Sequence, residues 1–159
     1  GLSQGQQPLI SFNFGARQIN RVKETLKYAV IGATIIAGTG FAVVQLFPQT
    51  IISMFNKDPE LMTVGATALR TWFLALPITG AGIIMSNYFQ AVGKVKVASF
   101  LNLTRQVIVL IPMIMILGSM FGLYGIFYAV PLSELASFSM ASFMITRENK
   151  KVWSVHKHE

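Results

Sequence analysis

The chain has 159 residues, 53% of them hydrophobic and 12% charged, with 13 Lys and Arg against 6 Asp and Glu. A soluble domain carries about 25% charged residues, and the mean hydropathy of +0.57 departs from that pattern in the same direction. A soluble globular enzyme, a disordered chain and a disulfide scaffold are excluded, the last because cysteine is absent.

The charges are unevenly placed. None occurs from Tyr28 to Asn56, from Thr71 to Gly93 or from Gln106 to Ser133. Crossing a bilayer takes about 20 apolar residues, and each of these runs is longer than that, so the sequence predicts a multi-pass integral membrane protein. Gly1 opens the chain without Met, and no basic stretch precedes an apolar one. No signal peptide is therefore expected, and the chain reads as a piece of something longer.

Segment one, residues 1–14, is too short to span. Arg17, Arg21, Lys23 and Lys27 follow, opposed only by Glu24. Segment two is predicted over 28–47, and Pro48 then leads to a polar turn, Asn56-Lys57-Asp58-Pro59-Glu60. Segment three is predicted over 70–92, ending at Gly93-Lys94-Val95-Lys96. Segment four, over 98–117, breaks in the stretch from Gly118 to Gly122. Segment five covers 123–145, and residues 147–159 form a polar, basic tail. Barrel strands run about 10 residues with alternating polarity; these runs are longer and do not alternate. The expected fold is an all-α polytopic helix bundle of about five helices.

Alternate connectors divide the 13 basic residues 11 to 2, with Lys57 and Arg70 alone on the poorer side. The richer side, which includes the C-terminus, is expected in the cytoplasm. Charges spread over short connectors do not form a nucleic-acid surface.

Within the spans, Glu134 stands near the middle of segment five, where a carboxylate costs on the order of 3 kcal/mol. It is either an ion- or proton-handling group or a packing carboxyl. Pro8, Pro77, Pro112 and Pro131 are candidate kinks, since each removes a helical hydrogen bond and frees a carbonyl. Pro131 lies one turn before Glu134 and faces the same way. Gly38 with Ala42, and Ser133 with Ser137 and Ala141, have the spacing of close helix packing. Met85, Ser86, Asn87, Tyr88 and Gln90 form a polar and polarisable cluster suited either to a cavity wall or to helix–helix hydrogen bonds. Arg105, about 10 Å into segment four by helical rise, is expected to snorkel to the cytoplasmic surface, with a cavity mouth as the alternative.

Other patterns fail. Gly38-Thr39-Gly40 lacks the third glycine and the strand of a dinucleotide fingerprint. His156 and His158 in the tail are weak evidence for metal, and no nucleophile–base arrangement or carboxylate pair is present. Neither catalysis, nor a metal, nor a cofactor is expected.

The run Gly1-Leu2-Ser3-Gln4-Gly5-Gln6-Gln7-Pro8, followed by Asn13-Phe14-Gly15-Ala16 and a basic segment, resembles a signature of the multidrug and toxin extrusion (MATE) family. Gln90-Ala91-Val92-Gly93-Lys94, Arg105 with Pro112, Gly122-Leu123-Tyr124-Gly125-Ile126 and Pro131-Leu132-Ser133-Glu134 continue the resemblance along nearly the whole chain. It implies a twelve-helix, two-lobed transporter of the cell membrane. These residues would be its eighth to twelfth helices, in a C-terminal lobe over 1–146, with the N-terminal lobe as the missing partner.

The resemblance also implies export of small organic, often cationic, compounds by alternating access, coupled to inward Na⁺ or H⁺. On it, segments one, three and five line a central cavity. Gln4, Gln7, Met85, Asn87, Tyr88 and Glu134 are then candidate substrate contacts, and Glu134 is also the candidate ion-coupling residue. Some branches carry a carboxylate near the proline of the tenth helix. Here Leu76-Pro77-Ile78-Thr79-Gly80 has no acid, so coupling falls to the absent lobe, to Glu134, or to both. A lipid-linked oligosaccharide flippase and a non-transporting membrane subunit are the competing readings; the first would need a more basic cavity than Arg70 and Arg105 supply.

Overall fold

The computed structural model describes residues 1–55 and 58–155, with side chains as far as Arg147. Asn56 and Lys57 of the expected polar turn, and His156 and His158, lie outside the described residues. Among them the regular elements are all helices: α1 (Leu2–Gly15), α2 (Ile19–Leu46), α3 (Pro48–Ser53), α4 (Pro59–Trp72), α5 (Leu76–Ala91), α6 (Val95–Leu103) and α7 (Ile111–Val155). A 3-10 turn, Phe73–Ala75, joins α4 to α5, and a π-helical segment, Thr104–Leu110, joins α6 to α7.

The helices exceed the apolar runs in both directions. α2 begins at Ile19 rather than at 28, because Arg21, Lys23, Glu24 and Lys27 are good helix formers and wind on beyond the greasy stretch. α4 begins at Pro59, not at 70: Asp58 caps it by accepting from the Glu60 N–H at 2.9 Å, and Pro59 suits the first turn. The stretch before Arg70 packs on α3, where a Cβ on Gly65 would come within 2.9 Å of Ile52 Cδ1. Gln45 and Arg70 exchange hydrogen bonds with each other's carbonyls at 2.9 and 3.3 Å, tying this end to the end of α2. The backbone of α7 stays helical through Val155, so the expected tail starts as helix.

Three helical stretches, Ile19–Leu46, Pro59–Ala91 and Val95–Arg147, are long and apolar enough to cross a membrane. The last divides at Gly122, whose φ of 61° and ψ of −138° end one helical arm and start another. A side chain is strained in that conformation. Beyond it the arms press together: a Cβ on Gly125 would collide with the Leu117 carbonyl.

The bundle is held by small-residue contacts and one apolar cluster. On α5, a Cβ at Gly80 would sit 3.1 Å from the Ala33 carbonyl and 3.1 Å from Ala37 Cβ, so these residues, rather than Gly38 and Ala42, let α2 approach. Gly38 has open space where its Cβ would be, and Ala42 is exposed. The expected packing in α7 is met by Ser133 and Ala141, both buried. Ile10, Val22, Phe89, Leu101 and Ile145 belong to one buried cluster, which brings the turns at 16–18 and 92–94 to the same end of the bundle. Ile35, Ile36, Val43, Met115, Ile116 and Phe143 are exposed, as faces solvated by lipid should be. Several hydroxyls within the helices bond back to carbonyls one turn earlier, as Thr34 does to Val30 at 2.8 Å and Thr39 to Ile35 at 2.9 Å. No water is needed to satisfy them.

Candidate functional site: a charge pair between the last two spans

Pro112 has no N–H for the Ile108 carbonyl one turn back, and its ring crowds that carbonyl. The preceding turn is wound wide, as the π segment Thr104–Leu110. Such wide turns frequently mark functional sites, and this one carries Arg105. Its Nε lies 3.3 Å from Glu134 Oε1, with side chains 24% and 14% exposed. Arg105 therefore does not snorkel, contrary to the expectation. A carboxylate alone at this depth is costly, and a guanidinium already in the apolar zone meets it across the hairpin instead of reaching for the interface.

Pro131 and Ser133, on the same arm as Glu134, are buried, and Ser133 Oγ donates to the Val130 carbonyl at 2.8 Å. The pair borders a cavity of about 10 Å³, lined also by Gly82 and Ser86 of α5, Leu101 of α6 and Ser137 of α7. That is about the space of one water molecule. Ser137 Oγ is buried there with no hydrogen-bond partner, and Thr104 Oγ1, beside Arg105 in sequence, is likewise buried and unsatisfied. A carboxylate, a guanidinium and two serine hydroxyls thus line one small cavity.

The remaining sequence candidates do not converge on it. Gln4 is exposed and Gln7 half-buried, whereas their neighbour Gln6 is buried and donates Nε2–H to the Ile84 carbonyl at 3.1 Å, with its Oε1 unpaired. Gln6, Ile10 and Asn13 form the buried face of α1; that spacing was readable but was overshadowed by the glutamines on either side. The polar run in α5 spreads around the helix at about 100° per residue. Of it only Ser86 reaches the cavity. Met85 Sδ accepts from Ser142 Oγ at 3.7 Å, Tyr88 packs edge-on to Phe89, and Asn87 is half-buried. Among the kink candidates, Pro8 and Pro131 lie inside helices, Pro77 opens α5 after the 3-10 turn, and Pro112 follows the π segment.

The MatE family model matches residues 1–116, a stretch that includes Arg105 and stops before Glu134. The chain is 28% identical over 145 residues to the multidrug export protein MepA of Staphylococcus haemolyticus (strain JCSC1435), covering 91% of this chain and 32% of MepA. Against MepA of Staphylococcus aureus (strain MSSA476) it is 25% identical over 134 residues, with 84% and 29% covered. The solved structure of the MATE multidrug transporter DinF-BH superposes with a TM-score of 0.87 at 35% identity, covering 92% of this chain and 33% of that one. An inward-facing multidrug resistance MATE transporter of the MOP superfamily shares the fold, with a TM-score of 0.81 at 19% identity over 93% of this chain and 36% of that one. The chain spans about a third of the length of the curated relatives it matches. The family-model match over most of the sequence, together with the helical bundle, assigns this membrane chain to the MATE family, whose members are transporters and not enzymes.

Proposed function

We propose that the chain serves in a secondary active exporter of small organic, often cationic, compounds, working by alternating access and driven by inward Na⁺ or H⁺. The observation that carries this reading is the Arg105–Glu134 pair at 3.3 Å between apolar spans, beside unsatisfied hydroxyls. An antiporter needs a group whose occupancy by one cation excludes another. Glu134 is such a group: its charge can be balanced by Arg105, by a bound ion or proton, or by a cationic substrate. Each occupant gives a different local arrangement, so binding can bias the equilibrium between conformations. The names of the relatives, multidrug export proteins and a multidrug transporter, support the substrate class.

In this reading the end bearing Arg17, Arg21 and Lys94 faces the cytoplasm, together with the C-terminus, by the distribution of basic residues. Gln7, Asn87 and Met85, each partly accessible, are the proposed substrate contacts from α1 and α5; Gln4 and Tyr88 are assigned weaker roles, the first by its exposure and the second by its burial. The rest of the substrate path comes from the remaining lobe of the transporter. Replacing Glu134→Gln tests the reading. Efflux of a fluorescent organic cation, divided by the amount of protein in the membrane, should fall severalfold. Unchanged efflux per molecule would reduce Glu134 to packing.

A further inference from the structure

The geometry points to Arg105 as the residue that decides which coupling ion Glu134 accepts: it acts as a tethered cation that shuts out Na⁺ and leaves the carboxylate open to a proton. This rests on Glu134 being the coupling carboxylate.

One oxygen of the Glu134 carboxylate already faces a cation. Arg105 Nε sits 3.3 Å from Oε1, and the adjoining space of about 10 Å³ takes one water. Adding either Na⁺ or H⁺ to the pair leaves the same net charge of +1, so charge counting does not choose between them. The ligands do. A sodium ion needs several oxygen ligands around it, and with the guanidinium in place it would stand against a like charge at the same carboxylate. A proton needs no ligand shell: it binds a carboxylate oxygen, the ion pair loses its attraction, and Arg105 remains as the single charge.

Among the described residues, no other charged group faces Glu134. Helix α5 carries none, and its one titratable side chain, Tyr88, is packed against Phe89. In α6 Lys96 is exposed, and the π segment carries Arg105 alone. Tyr124, Tyr128 and Arg147 of α7 are exposed.

The same geometry identifies what removing Arg105 would create. Glu134, Ser86 and Ser137 would line a larger space with a net negative charge, and Ser137 Oγ already lacks a partner. Hard oxygen donors around an unbalanced carboxylate suit a small monovalent cation.

The test is binding of radioactive ²²Na⁺ to the purified whole protein, at fixed ionic strength with choline as the replacement ion. Wild type and Arg105→Lys should show no saturable Na⁺ binding that Glu134→Gln removes. Arg105→Ala should gain it by at least about tenfold, and Arg105→Ala with Glu134→Gln should lose the gain. Arg105→Ser, which adds a hydroxyl in place of the guanidinium, gives the same test should the alanine variant not fold. Infrared difference spectra of wild type against Glu134→Gln should show a protonated-carboxyl component at low pH that the variant lacks. Saturable Na⁺ binding to wild type that Glu134→Gln abolishes would overturn the proposal. So would Arg105 variants that fold but gain no Na⁺ binding. Both readouts are binding measurements, so a failed efflux effect of Glu134→Gln would refute the coupling role without altering them.

Discussion

Breaking the Arg105–Glu134 pair should cost more than removing it whole. With nitrogen and oxygen 3.3 Å apart, the charge centres lie about 4 Å from each other, and their attraction is about 4 kcal/mol at an effective dielectric constant near 20. Desolvation of both groups offsets much of this. Removing one partner strands the other's charge, which costs about 3–5 kcal/mol for a buried pair. The side chains here keep 24% and 14% of their exposure, which lowers the expected cost to about 2–3 kcal/mol for either Arg105→Met or Glu134→Met. The double variant should lose less than either single one, because an apolar pair strands nothing. The measurement is a double-mutant cycle of unfolding in detergent, with an expected coupling of at least about 2–3 kcal/mol. Single effects that add to within about 0.5 kcal/mol would refute the argument, since the two groups would then be independent.

Gly125→Val should destabilise the hairpin of α7 by about 3 kcal/mol or more, because the new side chain meets the Leu117 backbone, which cannot rotate away. Gly38→Ala, which meets nothing, should instead be neutral or stabilising by up to about 1 kcal/mol; comparable unfolding midpoints for the two variants would contradict this. Gln6→Leu removes the bond to the Ile84 carbonyl and should cost about 1 kcal/mol, read in the same unfolding assay. A larger loss of transport than of stability in that variant would place Gln6 in the substrate path.

What could be read directly were the features written in composition and period. Charge-free runs as long as Tyr28 to Asn56 or Gln106 to Ser133 can only be helices in hydrocarbon, since every backbone polar group must be paired within its own segment. The cost of Glu134 at mid-span follows from its position alone, and so does the break near Gly122. Helix ends were less legible, because apolar runs mark the lipid and not the helix: α2 and α4 wind on through polar residues that favour helix as well as the greasy ones do.

The partner of Glu134 lay beyond the reach of sequence. Arg105 belongs to the preceding span, and both snorkelling and a cavity mouth were open to it. The choice was made by the turn at Gly122, which folds the two arms of α7 together, and by the widened turn before Pro112, which carries the guanidinium. Likewise Gln6 rather than Gln4 or Gln7, and Ala33 and Ala37 rather than Gly38, were selected by which face met a neighbour. Hydropathy and charge determined that this polypeptide crosses a membrane as helices. Only the tertiary packing decided which polar groups meet, because in a bundle each helix can turn any face inward until its neighbours fix its rotation.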